Sequence, residues 1–280
     1  MTVLFEWTLV QKQRLLELGA DNEQVGMTFQ SAGERNNAYQ QIEYDLVSRG
    51  KEDLAQFRKT VRRPTLPLIE NRLAEALIGA GFCQVTTPIL LSKGLLAKMT
   101  ITVEHPLYEQ VFWVDSRKCL RPMLAPNLYF ILKDLLRIWP HPVRIFEIGP
   151  CFRKDTQGGS HMQEFTMLNL VEMGLPEKEC SIRLKELAKL IMNAAGIEDY
   201  KLETESSEVY GKTVDVISGG LELGSGAMGP HVLDQSWDIT VPWVGIGFGL
   251  ERLIMIREGY SNVQKAGRSL TYLNGVRLNL

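Results

Sequence analysis

Cysteine is scarce in this chain, with four in 280 residues and no CxxC pair among them. Cys83, Cys119, Cys151 and Cys180 are therefore read as reduced core thiols, which excludes a disulfide framework and a cysteine zinc site. Histidine is equally thin, and His105, His141, His161 and His231 are dispersed. Neither charge dominates: 31 Lys and Arg stand against 33 Asp and Glu, a net charge of −2. Any nucleic-acid contact must then come from a local basic patch. No apolar run approaches the roughly 20 residues of a membrane span. Glu6 and the charged segment from Lys12 interrupt the apolar start, so no signal peptide is read and the cytoplasm is expected. Two nucleotide fingerprints are missing as well. A GxGxxG loop would need glycine where Leu250 stands, and no Gly-Lys-Ser/Thr follows the glycines.

What is present is an ordinary globular composition, 45% hydrophobic and 23% charged, long enough for a large core. Residues 1–60 differ from the rest and form an N-terminal helical segment. Trp7, Val10, Leu15, Leu16 and Leu18 mark one helix closing near Gly19, and a polar stretch from 20 to 37 precedes a second around 39–49. Lys59, Arg62 and Arg63 form a small basic cluster, readable as a solvated face or as a tRNA contact. Residues 61–280 form the second domain. There, Leu66–Ala80 is an amphipathic helix stopped at Gly81. Strands are expected at 84–87, 111–114, 143–148, 164–172, 213–217 and 221–223, and helices at 127–138, 181–195 and 250–259. Consecutive strands joined by a short loop at 154–161 argue for an antiparallel sheet, hence an α+β fold.

Three stretches carry chemistry. In Gly245-Ile246-Gly247-Phe248-Gly249-Leu250-Glu251-Arg252, glycines at period 2 give a strand one bare face, against which a flat ligand can lie. Arg252 follows in the first turn of a helix, where the helix N-terminus also favours an anion. The same stretch also reads as a Gly-rich turn with a surface Arg. In the second, Phe152-Arg153-Lys154-Asp155 leads through a loop to His161-Met162-Gln163-Glu164-Phe165. Strand alternation puts Phe165, Met167, Asn169 and Val171 on one face, with a ring and a carboxamide roughly 13 Å apart. Arg153 ends the preceding strand, where it can meet a phosphate bidentately. A core aromatic and a satisfied buried amide are the alternatives for Phe165 and Asn169. The third stretch, 81–88, is a capped helix, a strand and the terminating Pro88, suited to an edge or an interface.

Together these resemble motifs 1, 2 and 3 of the class II aminoacyl-tRNA synthetases. Leu120-Arg121-Pro122-Met123-Leu124-Ala125-Pro126-Asn127-Leu128-Tyr129, Glu164–Asn169, Pro242-Trp243 and Tyr272-Leu273-Asn274-Gly275 are similar to the pyrrolysyl-tRNA synthetases, specifically those lacking a separate N-terminal tRNA-binding domain. The resemblance covers about residues 64–280. It implies a class II catalytic core, an antiparallel sheet flanked by helices, that is a homodimer built through motif 1. It implies an enzyme that uses ATP and Mg²⁺ to activate pyrrolysine or a related lysine derivative and passes it to tRNA. Arg153 and Arg252 would be the catalytic residues, Arg153 on the α-phosphate. Phe165 would stack on adenine, with Arg252 on its other side or on the γ-phosphate. Asp155, His161, Gly247 and Gly249 complete the nucleotide site. Glu222 and Ser225 match Mg²⁺ positions, but their parity differs on a regular strand, so sharing one ion demands a bulge or twist.

The amino-acid pocket would comprise Met123, Ala125, Leu128, Tyr129, Leu132, Asn169, Val171, Tyr210, Trp243 and Gly245. Asn169 would hydrogen-bond the substrate amide carbonyl, and Tyr210 matches the family's mobile-loop tyrosine. The chemistry needs no nucleophilic residue, so the cysteines are expected to be dispensable. The chain departs from the family at Asp155, where Glu is usual, in Gly224-Ser225-Gly226-Ala227-Met228, and at Ile246. Gly226, Met228 and Ile246 are expected to alter the pocket. A class II synthetase for phenylalanine, and a synthetase-like binding protein without catalysis, are the competing readings. Asn169 argues against the first, and retention of Arg153, Phe165, Glu222 and Arg252 against the second.

Overall fold

A computed structural model gives the structure of residues 4–155, 159, 161–207 and 209–280. Part of the expected loop at 154–161 therefore lies outside the described residues. The chain divides into two compact units, residues 1–65 with 269–280, and residues 66–268.

The first unit begins with α1 (Leu9–Leu18), which Thr8 opens through a capping box with Gln11 and Gly19 closes at φ 94°. α2 (Asn22–Val25) falls in the stretch read as merely polar, capped by Asp21. α3 (Ala32–Gln56) is longer than the expected segment because Ser31 caps it early and a π-helical turn, Phe57–Val61, extends it. Trp7, Leu15, Phe29 and Leu46 form a small core here, and the Trp7 indole donates to the Gln24 carbonyl at 2.9 Å.

The second unit follows. α4 (Thr65–Gly79) ends in a Schellman motif: Phe82 N–H donates to the Leu77 carbonyl, Gly81 N–H to that of Ile78, and Gly81 takes φ 84°. After it come β1 (Cys83–Gln84), β2 (Leu90–Ser92), α5 (Lys93–Lys98), α6 (Pro106–Glu109), β3 (Lys118–Leu120) and α7 (Ala125–Ile138). Then follow β4 (Val143–Phe152), β5 (Glu164–Met173), α8 (Cys180–Ala195), β6 (Lys201–Ser207), β7 (Gly211–Ser218), β8 (Leu221–Gly229), β9 (Trp243–Gly249) and α9 (Leu250–Glu258). The chain ends, back in the first unit, with the hairpin β10 (Tyr272–Leu273) and β11 (Val276–Arg277).

Seven strands form one sheet in the order β1-β4-β5-β9-β8-β7-β6. Every pairing is antiparallel except β1 with β4, which is parallel. The strand expected at 84–87 keeps only Gln84 in this sheet, because Thr87 turns away to bond the Glu147 carboxylate. The strand expected at 111–114 is absent. Only an isolated bridge joins Trp113 to Cys119 there.

The sheet has an apolar layer on each face. On one, α8 presents Leu184, Leu187, Ala188, Ile191, Met192 and Ala195, the i, i+3, i+4 spacing of a single helical stripe. These pack with Leu168, Leu170, Ile246 and Phe248 from the even-numbered face of β5 and β9. The other face carries Val171, Met173, Trp243 and Ala227 against Ala125, Leu128, Tyr129 and Leu132 of α7. Of the four thiols, Cys119, Cys151 and Cys180 are buried as expected, while Cys83 is exposed at the β1 edge.

Candidate active site

Pairing of β5 with β9 sets Asn169 opposite Gly247, Val171 opposite Gly245 and Met167 opposite Gly249. All six lie on one face and line a cavity of about 620 Å³ in the second unit. The glycines leave the floor bare. A Cβ built on Gly247 would come 3.2 Å from Asn169 Nδ2 and 3.3 Å from Met167 Cε.

Phe165 begins the same face of β5, and the Arg153 guanidinium lies over its ring, 5.4 Å from the centroid. Arg153 Nε–H donates to the Pro122 carbonyl at 2.9 Å, which fixes the side chain where it leaves β4. Burial depresses the Arg153 pKa, but a guanidinium stays charged, so the cavity wall carries a fixed positive charge there. Across the cavity, Arg252 sits in the first turn of α9. Its Nη1 donates to the Glu222 carbonyl at 2.9 Å and lies 3.9 Å from Glu222 Oε1, while Nη2 is 3.1 Å from His161 Nε2. His161 is in turn 3.6 Å from Asp155.

The bulge demanded by Glu222 and Ser225 is present. Ile217 pairs with Glu222 while Val216 pairs with Gly224, so Leu223 is the extra residue on β8. Opposite Ser225 stands Asp215, and Asp215 and Ile217 share a face of β7, which brings Glu222 and Ser225 to one face. Ser225 Oγ donates to Asp215 Oδ1 at 2.6 Å. These are oxygen groups, and among the described residues no cluster of three His, Cys, Asp or Glu could hold a metal. A sparse hard-oxygen set suits Mg²⁺ held chiefly by substrate phosphates and water. Asp215 was missed by sequence reading, although strand alternation through Thr213 and Asp215 carries the signal.

The cavity also takes in Met123, Ala125, Tyr129, Tyr210 and Trp243. Leu128 and Leu132 stand apart from its lining, fully buried within the apolar layer of α7. Ile246 and Gly226 belong to the cavity lining, whereas Met228 does not, and the side chains of Ile246 and Met228 point away from it. Their parity turns both side chains to the α8 face, where Gly226 also points, its built Cβ 2.7 Å from Leu184 Cδ1. Asn169 Oδ1 is buried and has no hydrogen-bond partner.

Sequence reading gave no role to a buried network behind the site. Arg121 Nη1 bonds Glu147 Oε1 at 2.7 Å and Thr87 Oγ1 at 3.0 Å, and Asn127 Nδ2 reaches Thr87 Oγ1 at 2.8 Å. Gly149 makes room for it, since a Cβ there would fall 2.3 Å from Arg121 Nη2. Through its Nε, Arg121 also holds the Pro150 carbonyl. Burial pushes the Cys151 thiol up to about 12 and the Cys119 thiol to about 11, so neither is primed as a nucleophile.

Comparison with known proteins gives these geometries a family. A model described as tRNA synthetases class II core domain (F) matches residues 52–273. The crystal structure of pyrrolysyl-tRNA synthetase from Desulfitobacterium hafniense superposes with a TM-score of 0.94 at 57% identity, covering 99% of both chains. The chain belongs to the pyrrolysyl-tRNA synthetases. A second Desulfitobacterium hafniense pyrrolysyl-tRNA synthetase structure gives 0.92 at 56% identity, over 99% of this chain and 96% of that one. More distant similarity runs to the O-phosphoserine--tRNA(Cys) ligase of Archaeoglobus fulgidus, 24% identical over 57% of this chain and 33% of that protein. The phenylalanine--tRNA ligase alpha subunit of Sulfurisphaera tokodaii is 31% identical over 44% of this chain and 27% of its own length. The chain thus spans about a third of the length of the first of these curated relatives. The core is that of class II synthetases, a sheet antiparallel but for β1 and flanked by helices. Among the described residues, no helix is long and apolar enough to cross a membrane.

Proposed function

We propose that the chain activates pyrrolysine, or a lysine derivative acylated on Nε, with ATP and transfers it to the 3′ end of a cognate tRNA. The observation that carries this reading is Asn169 Oδ1, buried in the cavity wall without a partner. Leaving a buried acceptor unpaired costs about 1–3 kcal/mol, so the site selects a ligand that satisfies the carboxamide. A side-chain amide does so with its own N–H and C=O, whereas a phenyl ring cannot.

The cavity then has two halves. The glycine floor, Phe165, Arg153 and Arg252 receive ATP, with His161 and Asp155 beside Arg252. Arg153 and Arg252 stabilise charge at phosphate oxygens as the amino-acid carboxylate attacks the α-phosphorus and pyrophosphate leaves. Mg²⁺ at Glu222 and Ser225 would neutralise charge on those phosphates. In the second step a ribose hydroxyl of tRNA attacks the adenylate carbonyl and releases AMP. Tyr129, Val171, Trp243 and Tyr210 enclose the amino-acid side chain.

Location in the cytoplasm and assembly as a homodimer belong to the same proposal. For the dimer, β1 lies at one edge of the sheet, with Ile78, Ile89 and Leu90 exposed in and around motif 1. The test of function is amino-acid-dependent ATP–pyrophosphate exchange with pyrrolysine, Nε-acyl-lysines and phenylalanine. Exchange with the first two and not the third is expected. Phenylalanine alone would overturn the substrate assignment, and no exchange at all would favour a binding protein.

A further inference from the structure

Tyr210 is held from behind by a histidine that lies outside the cavity lining. Tyr210 sits between β6 and β7, its ring 6.4 Å from that of Trp243 and 5.8 Å from that of His231. His231 is the N-cap of the 3₁₀ turn Val232–Trp237. Its Nδ1 accepts from Leu233 N–H at 3.2 Å, and the His231 backbone N–H donates to Asp234 Oδ2 at 2.6 Å. A ring nitrogen accepting from a backbone N–H carries no proton, so the neutral imidazole is protonated at Nε2. That Nε2 is 2.8 Å from the Tyr210 carbonyl, which can only accept. Both neighbours therefore select the same tautomer. The Asp234 carboxylate also receives the Trp243 indole N–H, 2.9 Å from each oxygen. One short turn thereby fixes two walls of the same cavity.

We infer that His231 is a positioning residue for substrate selection, its Nε2–H holding the Tyr210 carbonyl and so setting the depth of the amino-acid half of the cavity. This rests on reading that half as the amino-acid pocket. His231→Asn separates the two bonds. Asparagine is a good N-cap and keeps the acceptor for Leu233, but its side chain is too short to reach Tyr210.

In pyrophosphate exchange, His231→Asn is expected to raise KM for the amino acid about 2- to 10-fold, the range for one lost hydrogen bond. KM for ATP, kcat and the thermal midpoint should stay near wild type, and small substrates should suffer more than those filling the cavity. His231→Gln, which can again present an N–H to the carbonyl, should recover part of the loss. Hydrogen exchange of the peptide bearing Tyr210 should speed up in His231→Asn, a readout independent of turnover. If the wild type fails to exchange pyrophosphate, the proposed function falls while this protection measurement still judges the tether. An unchanged amino-acid KM with unchanged protection overturns the inference. So does an equal rise in both KM values with a lowered midpoint, which marks a purely structural role.

Discussion

Asn169 sits halfway along the exposed face of β5, and its two polar atoms meet different fates. Nδ2 would crowd any Cβ at position 247, and Oδ1 is buried without a partner. A buried group that the protein itself leaves unsatisfied recovers the cost only with a ligand of matching polarity. Asn169→Ala should therefore raise KM for an Nε-acyl-lysine by about 10- to 100-fold, equivalent to roughly 1–3 kcal/mol, with KM for ATP nearly unchanged. Steady-state pyrophosphate exchange with each substrate varied in turn measures the split. A loss shared equally with ATP would move Asn169 from substrate recognition to support of the floor.

Among the elements, the junction of β9 and α9 combines a bare strand face with a buried carboxylate. Glu251 is 1% exposed and accepts the Thr166 N–H with both oxygens at 2.9 Å. Burial wins over that bond and over the nearby Arg268, pushing Glu251 up to about 7 from an ordinary 4.5. With the folded pKa above the unfolded one, the folded state binds the extra proton between those values. Its stabilising contribution is complete below about pH 4.5 and is lost as pH rises through about 7. Glu251→Gln keeps an acceptor for Thr166 and removes the titration. Between pH 5 and pH 8 its denaturant stability should fall less than that of wild type, by as much as about 3 kcal/mol. Parallel curves for the two proteins would mean that Glu251 ionises in the fold without penalty.

The same elements show where sequence reasoning reached and where it stopped. Alternation is a local property, so the shared face of Phe165, Met167, Asn169 and Val171 could be read directly, whereas Gly247 joins it only through the long-range pairing of β5 with β9. Unequal parity of Glu222 and Ser225 asks for a bulge or twist if they share an ion, and the register shift in β8 supplies one. The polar strand β6, Lys-Leu-Glu-Thr-Glu-Ser-Ser, escaped because it is an edge strand with no apolar alternation. Ile246 lines the cavity, but a period of two sends its side chain opposite its flanking glycines, into the α8 layer. The network of Arg121, Glu147 and Thr87 joins residues 26 and 34 positions apart, a separation no local pattern encodes.

For the whole molecule, the division into two units separates functions that one assay would confuse. The proposed chemistry of activation lies entirely in residues 66–268, where the cavity is found. The first unit offers exposed Lys59, Arg62 and Arg63 after α3, with Arg62 at φ 55° as the cap of the π-helical turn. Two cations near the C-terminus have partners within their own units. Arg277 pairs with Glu17 at 2.6 Å, and Arg268 bonds Thr166 Oγ1 at 2.8 Å. Because the chain carries a net charge of −2, attraction to a polyanion has to be local, and the 59–63 cluster is where it is densest outside the site. If this cluster meets tRNA phosphates, Arg62→Ala with Arg63→Ala should weaken tRNA charging and lower the slope of log affinity against log salt by about two. Pyrophosphate exchange, which needs no tRNA, should stay at the wild-type rate. Equal loss of exchange and charging would instead indicate a folding defect, and an unchanged salt slope would place the phosphate contacts elsewhere on the molecule.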